Sequence, residues 1–190
     1  MSTMRWIVVL VVLAYAAGLA AVLASQNREL REENAELRRQ ARVVAPGMYV
    51  PPVNTVTLDG SSVTIGEPDR GTRQVLLVFD TECPFCRASL PAWDRLATAL
   101  ADEVPTVEII GVSLDATEET SEYVDEHDLT FPVTSVLDDG VRGTYRLGIV
   151  PLILTVEPGG LIGYVRVGEL TPGLGFDSVF ASATAPLASP

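Results

Sequence analysis

The chain has no lysine, one histidine and only two cysteines among its 190 residues, and 6% of its residues are aromatic. A structural zinc site takes four ligands, so the single imidazole of His127 and one cysteine pair argue against such a site. Copper delivery would also need a histidine partner for the cysteines, and His127 alone supports that function poorly. We attach no mechanism to the lack of lysine.

Acidic residues outnumber basic ones, and the excess lies in the second part of the chain. Residues 1–45 hold six arginines and four acids, a balance of +2, whereas residues 46–190 hold seven arginines and twenty-one acids, a balance of −14. The two balances add up to the formal net charge of −12. A nucleic-acid-binding domain needs a basic surface, so no nucleic-acid partner is predicted.

The two cysteines form the motif Cys83-Pro84-Phe85-Cys86, which follows the apolar run 75–79 and precedes a long helical pattern. If the helix begins just after Cys83, both sulfurs lie on its first turn, near enough to form and break a disulfide. Unpaired backbone N–H groups and the helix dipole favour an anion there, which makes Cys83 the predicted nucleophile. Cys83 and Cys86 are therefore the predicted catalytic pair, with no metal and no cofactor other than their own disulfide.

Two other uses of the cysteine pair remain open. It could supply part of a metal site, or it could form a structural disulfide. A disulfide that closes only four residues removes little chain entropy, so stability alone rarely explains one. We favour redox chemistry for this spacing.

Residues 6–24 contain no charged side chain, and nearly all of them are apolar or small. At helical rise this stretch is about 28 Å long, close to the hydrocarbon thickness of a bilayer. Arg5 and Trp6 suit the membrane interface. A signal peptide cleaved after Ala24 is the alternative, but the apolar run is longer than a signal core, so we predict an uncleaved single-pass anchor.

Two observations conflict over which side of the membrane holds the rest of the chain. One arginine precedes the apolar segment and five follow it closely, which by the positive-inside rule would place the following residues in the cytoplasm. A dithiol on a membrane tether is most useful where disulfides form, outside the cytoplasm. We give the second argument precedence and predict a domain on the extracytoplasmic (periplasmic or extracellular) side.

Residues 25–44 predict a helical stalk with a heptad pattern. Its apolar positions recur every seven residues, at Leu23, Leu30, Leu37 and Val44. With these at d, the a positions are Asn27, Asn34 and Ala41. Glu33 at g and Arg38 at e could then pair between helices, which predicts a short parallel homodimer, with a solvated spacer helix as the alternative. The prolines and glycine of residues 45–52 predict an extended hinge.

Residues 53–183 predict one α/β domain, followed by a disordered tail at 184–190. Strands are predicted in a hairpin at 53–65 and at 75–79, 107–114, 131–136, 152–156 and 161–167. Helices are predicted at 84–102, 118–127, 140–147 and 173–183, with Pro91 kinking the first and Asp115 or Thr117 capping the second. We place Trp93 in the core, His127 on the surface and a helix cap at 138–140. This order of elements forms a three-layer α/β sandwich.

The residues around the dithiol and the later strands resemble the thioredoxin fold. The segments that carry the resemblance are Gly148-Ile149-Val150-Pro151, Glu157-Pro158-Gly159-Gly160, Phe131-Pro132-Val133 and Tyr145. They are similar to the TlpA/ResA-like membrane-anchored thiol–disulfide oxidoreductases and their redoxin relatives. The resemblance implies a cis peptide bond before Pro151 that faces the dithiol, and a backbone at Val150 that hydrogen-bonds a substrate chain. Pro84 and Phe85 complete the predicted substrate-binding set.

The chain departs from that family next to the first cysteine. Family members commonly have tryptophans at the positions of Asp80 and Glu82, and Leu77 replaces the buried acid of thioredoxins. Carboxylates near Cys83 should disfavour its thiolate, and a less stabilised thiolate implies a more stable disulfide, hence a reductant. Asp80 or Glu82 could also pass a proton to Cys86, and the alternative is that both are solvated loop acids.

The predicted function is a disulfide reductase that acts on exported proteins. By resemblance, the partners are client proteins such as apocytochromes c and a membrane electron donor. A peroxiredoxin-like peroxidase is one alternative, but no Pro-x-x-x-Thr pattern precedes the cysteine, and Thr81 alone supports it weakly. A non-enzymatic maturation or scaffold factor, as in methylamine dehydrogenase assembly, is the other.

Overall fold

The computed structural model describes residues 15, 18–19, 22–31, 43–66, 68, 71–136 and 138–187. The chain divides into two compact units, Met1–Arg42 and Val43–Pro190.

In the first unit, residues 22–31 are helical and exposed. Most of the predicted anchor at 6–24, and of the predicted stalk at 25–44, lies outside the described residues. Over the part that is described, no helix has the length and apolar character needed to cross a bilayer. One heptad assignment is wrong, because Val44 is buried in the hydrophobic core of the second unit and cannot serve as a d position.

The second unit contains a mixed five-stranded sheet and a separate hairpin. Their strands are β1 (Val53–Val56), β2 (Ser62–Ile65), β3 (Arg73–Phe79), β4 (Val107–Ser113), β5 (Val133–Ser135), β6 (Leu152–Val156) and β7 (Ile162–Val167). The sheet order is β5-β4-β3-β6-β7, with β3 parallel to β4 and antiparallel to β6. Every residue of β3 is buried, as its continuous apolar run predicts for a central strand.

Helices cover both faces of this sheet. They are α1 (Pro84–Glu103), α2 (Thr117–His127), α3 (Asp139–Tyr145) and α4 (Phe176–Thr184). The odd-numbered residues 75, 77 and 79 of β3 join a core cluster with α1, α2 and α4. The even-numbered residues 76 and 78 join a second cluster with Tyr145 of α3 and with the hairpin. The predicted three-layer sandwich is confirmed, and α1 continues through Pro91.

The predicted helix caps are correct for α3 and wrong for α2. Asp138 caps α3 by accepting a hydrogen bond from the Val141 N–H at 2.8 Å. The N-cap of α2 is Ala116, which supplies no side-chain bond. Asp115 instead points toward the loop after β3, where its carboxylate accepts the Thr81 N–H at 2.6 Å.

The predicted hinge at 45–52 packs on the domain. Val50 is fully buried, and its N–H donates to the Gly160 carbonyl at 2.8 Å. Met48 accepts the Ile162 N–H at 2.8 Å, which extends the sheet beyond β7. Gly160 has φ +82°, and a Cβ there would lie 2.7 Å from the Val50 carbonyl oxygen, so this close approach requires glycine. The compact unit thus begins ten residues before the predicted boundary at 53.

A buried ion pair joins β3 to the turn after β6. Arg73 is 4% exposed, and its guanidinium binds the Glu157 carboxylate through two bonds of 2.8 and 2.7 Å. The same guanidinium donates to the carbonyls of Ala183 and Ala185 at 2.6 and 2.8 Å. Arg73 therefore fixes the end of α4, and with it the start of the segment predicted as a tail.

Candidate active site

The two cysteines lie at the start of α1, where the spacing places them. Cys83 is the N-cap residue, with extended backbone angles of φ −72° and ψ 114°. Its Sγ accepts the Cys86 N–H at 3.3 Å, which satisfies one of the unpaired N–H groups of the first turn. Both side chains are free thiols; Cys83 is partly exposed, whereas Cys86 is buried. One sulfur is therefore accessible to a partner molecule, and the other lies beneath it.

The loop that presents Cys83 is held by two carboxylates. Asp80 accepts the Glu82 N–H through its side chain at 2.9 Å and the Cys83 N–H through its carbonyl at 3.2 Å. The Asp115 carboxylate, just after β4, accepts a hydrogen bond from the Thr81 N–H. Asp80 is half-buried and Glu82 is exposed. Asp80 thus has a structural role that the sequence did not predict, and the proton-transfer role of either acid stays a prediction.

The predicted substrate-binding residues lie around the accessible sulfur. The Val150–Pro151 peptide bond is cis, as the resemblance implies. The Val150 carbonyl oxygen lies 4.0 Å from Cys83 Sγ and accepts from it, and Pro151 is buried. Phe85 is 58% exposed and Ile149 50% exposed, so both apolar side chains are accessible to a partner molecule. Ile149 was not among the predicted residues, although its place before Val150 was a signal for it.

Because Cys86 is buried, its thiol has a higher pKa than an ordinary thiol. Burial raises the pKa of Cys86 far above the usual 9.0, and the hydrogen bond with Cys83 adds to the rise. Cys86 is therefore a neutral thiol in the resting dithiol, and it becomes an effective nucleophile only when a reaction brings a disulfide sulfur next to it.

This raised pKa predicts alkaline destabilisation of the reduced protein. Above about pH 9 the unfolded chain loses the Cys86 proton while the folded chain keeps it, so the free energy of unfolding falls as pH rises. The stability is complete below that pH and is lost by at most about 1.4 kcal/mol per pH unit above it. Urea unfolding at pH 8, 9 and 10 should show this slope.

The matched variant for that measurement is Cys86→Ala. Tyr145, whose pKa burial also raises, contributes equally to both proteins, whereas the Tyr123 pKa is raised partly by Cys86 itself. The slope of the variant should therefore be shallower by the contribution of Cys86 together with its effect on Tyr123. Equal slopes in the two proteins would contradict the assignment.

Sequence reasoning missed two residues packed around α1. Ser89 is buried and joins the helix to the loop after β7, because its hydroxyl accepts the Leu170 N–H at 2.9 Å. Tyr123 of α2 is buried and stacks on Phe79 with ring centroids 5.6 Å apart. The acidic composition of α2 concealed this aromatic contact with the core.

His127 is half-buried rather than fully exposed, and Trp93 is confirmed in the core. The His127 ring meets Tyr123 edge-on at 4.5 Å, and its Nε2 is buried. Trp93 is fully buried. Among the described residues, no three His, Cys, Asp or Glu side chains are grouped so that they could hold a metal ion.

Comparison with known proteins places this fold and motif in a family. Residues 43–164 match the model of the AhpC/TSA family. The thiol-disulfide oxidoreductase ResA of Oceanobacillus iheyensis is 33% identical over 115 residues, which cover 60% of this chain and 58% of ResA.

Two solved structures share the fold. The crystal structure of StoA from Bacillus subtilis has a TM-score of 0.60 at 18% identity, covering 72% of this chain and 98% of that one. The thioredoxin domain of a thiol-disulfide oxidoreductase from Bacteroides vulgatus has a TM-score of 0.59 at 24% identity, covering 72% and 96%. The chain belongs to the AhpC/TSA family, and within it is a TlpA/ResA-like protein with a thioredoxin-like fold.

Proposed function

We propose that this protein is a membrane-tethered thiol–disulfide oxidoreductase that reduces disulfides in exported proteins. The observation that carries the proposal is the asymmetry of the dithiol, in which Cys83 is partly exposed and Cys86 is buried on the same helical turn. An exposed nucleophile with a buried resolving thiol suits two successive exchanges. The name of the ResA relative agrees with this chemistry.

The reaction moves two electrons from the dithiol to the client. The Cys83 thiolate attacks one sulfur of a client disulfide, the client S–S bond breaks, and the released client thiolate takes up a proton. Cys86 then gives up its proton and attacks Cys83 Sγ, which breaks the mixed disulfide and releases the second client thiolate. The enzyme is left with a Cys83–Cys86 disulfide.

The residues around Cys83 suit an extended polypeptide. The Val150 carbonyl, next to the cis bond before Pro151, accepts from the Cys83 thiol at 4.0 Å in the dithiol and can accept an N–H from a client chain once Cys83 has reacted. The exposed side chains of Phe85, in the dithiol motif, and Ile149, beside Val150, offer apolar contacts to such a chain. Recognition through backbone bonds and a small apolar surface would accept many client sequences.

The reducing direction is supported by the charges around the dithiol. A strong oxidant needs a stabilised thiolate in its reduced form. Here burial raises the pKa of Cys86 and the Asp80 charge adds to the rise, and together they outweigh the lowering by the Asp80 backbone. The disulfide is then the more stable form, which favours electron donation to clients.

The proposed location rests on the sequence, and the proposed partners rest on the family resemblance. We propose that residues 6–24 anchor the chain in the membrane, that residues 25–44 form a stalk able to pair two copies, and that the domain acts on the extracytoplasmic side. Apocytochromes c awaiting haem are the proposed clients. A membrane reductase would regenerate the dithiol, since otherwise each molecule would react only once.

Equilibration with a glutathione redox buffer tests the reducing direction. The full chain should show a Cys83–Cys86 potential more negative than about −220 mV, within the range of reducing dithiols. A value near about −120 mV, typical of strong disulfide donors, would contradict it. The double variant Cys83→Ala/Cys86→Ala should show no transition. Rapid consumption of hydrogen peroxide by Cys83 would instead favour the peroxidase alternative.

A further inference from the structure

The dithiol contains a buried sulfur, Cys86, whose negative charge is favoured only by the Asp80 backbone, which lowers the pKa of Cys86 less than burial raises it. Cys86 must carry that charge when it attacks the mixed disulfide, and again when it leaves during reduction of the enzyme. Leu77 lies in the same apolar cluster as Cys86, and its side chain has no polar group to offer that sulfur. A buried anion without a hydrogen-bond donor is costly, so a donor near this sulfur would control the rate.

Tyr123 supplies an unused donor in the same cluster. Its side chain is 5% exposed and belongs to the cluster that contains Cys86, and Cys83 packs against that cluster. Its hydroxyl is buried and has no hydrogen-bond partner among the described residues. A buried polar group left unpaired in this way needs an explanation, because most such groups are satisfied.

The position of Tyr123 is fixed from two sides. Its ring stacks on Phe79, the last residue of β3 and four residues before Cys83, with centroids 5.6 Å apart. Its other side meets the ring of His127 at 4.5 Å. Because both contacts hold the ring, its hydroxyl has little freedom to turn away toward solvent.

The hydroxyl also keeps its proton under working conditions. Burial raises the pKa of Tyr123 to about 12, and the charges of Cys86 and Cys83 add to the rise. The Arg87 guanidinium partly opposes the rise, without a hydrogen bond of good geometry to the hydroxyl. With these groups, and with the His127 ring against its own, the hydroxyl stays protonated near neutral pH. Tyr123 can therefore donate a hydrogen bond but cannot serve as the base.

We propose that the Tyr123 hydroxyl is a catalytic hydrogen-bond donor to the Cys86 thiolate. It makes no hydrogen bond in the dithiol and donates one when Cys86 becomes charged. The proposal rests on the proposed oxidoreductase function and adds a residue to its second step. The Cys86 proton goes to solvent or a nearby carboxylate, and the Tyr123 proton stays on its oxygen. In the reverse direction the same bond stabilises Cys86 as the leaving group.

The test is Tyr123→Phe in the full chain, assayed with the aromatic disulfide 5,5′-dithiobis(2-nitrobenzoate). Attack by Cys83 releases one coloured thiolate, and resolution by Cys86 releases the second, so the two steps appear as separate phases. We expect an unchanged first phase and a second phase slowed about fivefold. A hydrogen bond to an anion raises the thiolate fraction by more than about tenfold, and the lower nucleophilicity offsets part of that gain.

Tyr164→Phe is the matched control, because Tyr164 on β7 packs against the same cluster without contributing to the dithiol. It should leave both phases unchanged. The thermal midpoint of Tyr123→Phe should equal or exceed that of the unmodified chain, because the lost hydroxyl has no partner. A purely structural role would lower that midpoint and would not slow the second phase selectively.

An unchanged second phase in Tyr123→Phe, or equal slowing in Tyr164→Phe, would overturn the inference and leave the proposed function intact. Failure of the unmodified chain to release the second thiolate would overturn the proposed function, and the role of Tyr123 with it.

Discussion

Cys86→Ala should stop exchange at the mixed disulfide, lowering multiple-turnover reduction of a protein disulfide by about a thousandfold or more. Cys83 keeps its place at the helix N-cap and still attacks, but no second thiol lies beneath it to release the client. The variant should therefore become covalently linked to clients. Non-reducing electrophoresis and mass spectrometry of the linked products would measure this.

The cysteine content of the chain makes this experiment easy to interpret. There are only two cysteines, so a mixed disulfide in Cys86→Ala can form only through Cys83. Cys83→Ala is the control and should trap nothing, because its remaining thiol is buried. Trapping by Cys83→Ala at a similar yield would reverse the assigned roles. Full turnover by Cys86→Ala would show that the reaction does not require Cys86 to resolve the mixed disulfide.

The second large effect concerns stability. Arg73→Met should lower the free energy of unfolding by about 3 kcal/mol, because it leaves the Glu157 carboxylate without its partner in a mostly buried position. It also removes the donor to the carbonyls of Ala183 and Ala185. The expected fall in the thermal midpoint is about 10 °C, measured by calorimetry or circular dichroism on the full chain.

Two further variants separate the ion pair from a general effect of losing arginine. Arg95→Met removes an exposed guanidinium that lies 5.8 Å from the Phe176 ring centroid, and should cost only about 0.5 kcal/mol. Arg73→Met/Glu157→Met should recover part of the loss, because the unpaired charge is gone. A double variant less stable than Arg73→Met would show that packing, not the charge, dominates.

The sequence predicted the fold well wherever hydrophobic spacing decided the structure. The run 75–79 became the central strand, and the motif from Cys83 to Cys86 fell on the first turn of α1. These predictions succeed because each depends on local periodicity and on a helix start. The cis bond before Pro151 depended on the family resemblance, since spacing alone is equally compatible with a trans proline.

Sequence-based predictions were wrong or missing where a side chain contacts an element far away in the chain. Asp115 looked like a helix cap, but it holds Thr81 across the loop. Arg73 opens an apolar strand and yet bonds to residues 157, 183 and 185. Tyr123 and His127 lie on an acidic helix and still reach the aromatic cluster. Such contacts join residues far apart in the chain, and no local pattern encodes them.

The packing of residues 47–58 has a consequence for how the domain avoids self-association. This short stretch pairs with part of each outer strand of the five-stranded sheet. Met48 bonds to Ile162 at the start of β7, and the Leu58 N–H donates to the Val133 carbonyl of β5 at 2.9 Å. Unpaired outer strands template pairing with other copies and, ultimately, fibrils. A chain that begins at residue 53 would keep its dithiol but would lose the pairing beside β7. Loss of activity in such a chain would therefore reflect aggregation through an exposed strand edge rather than a damaged active site.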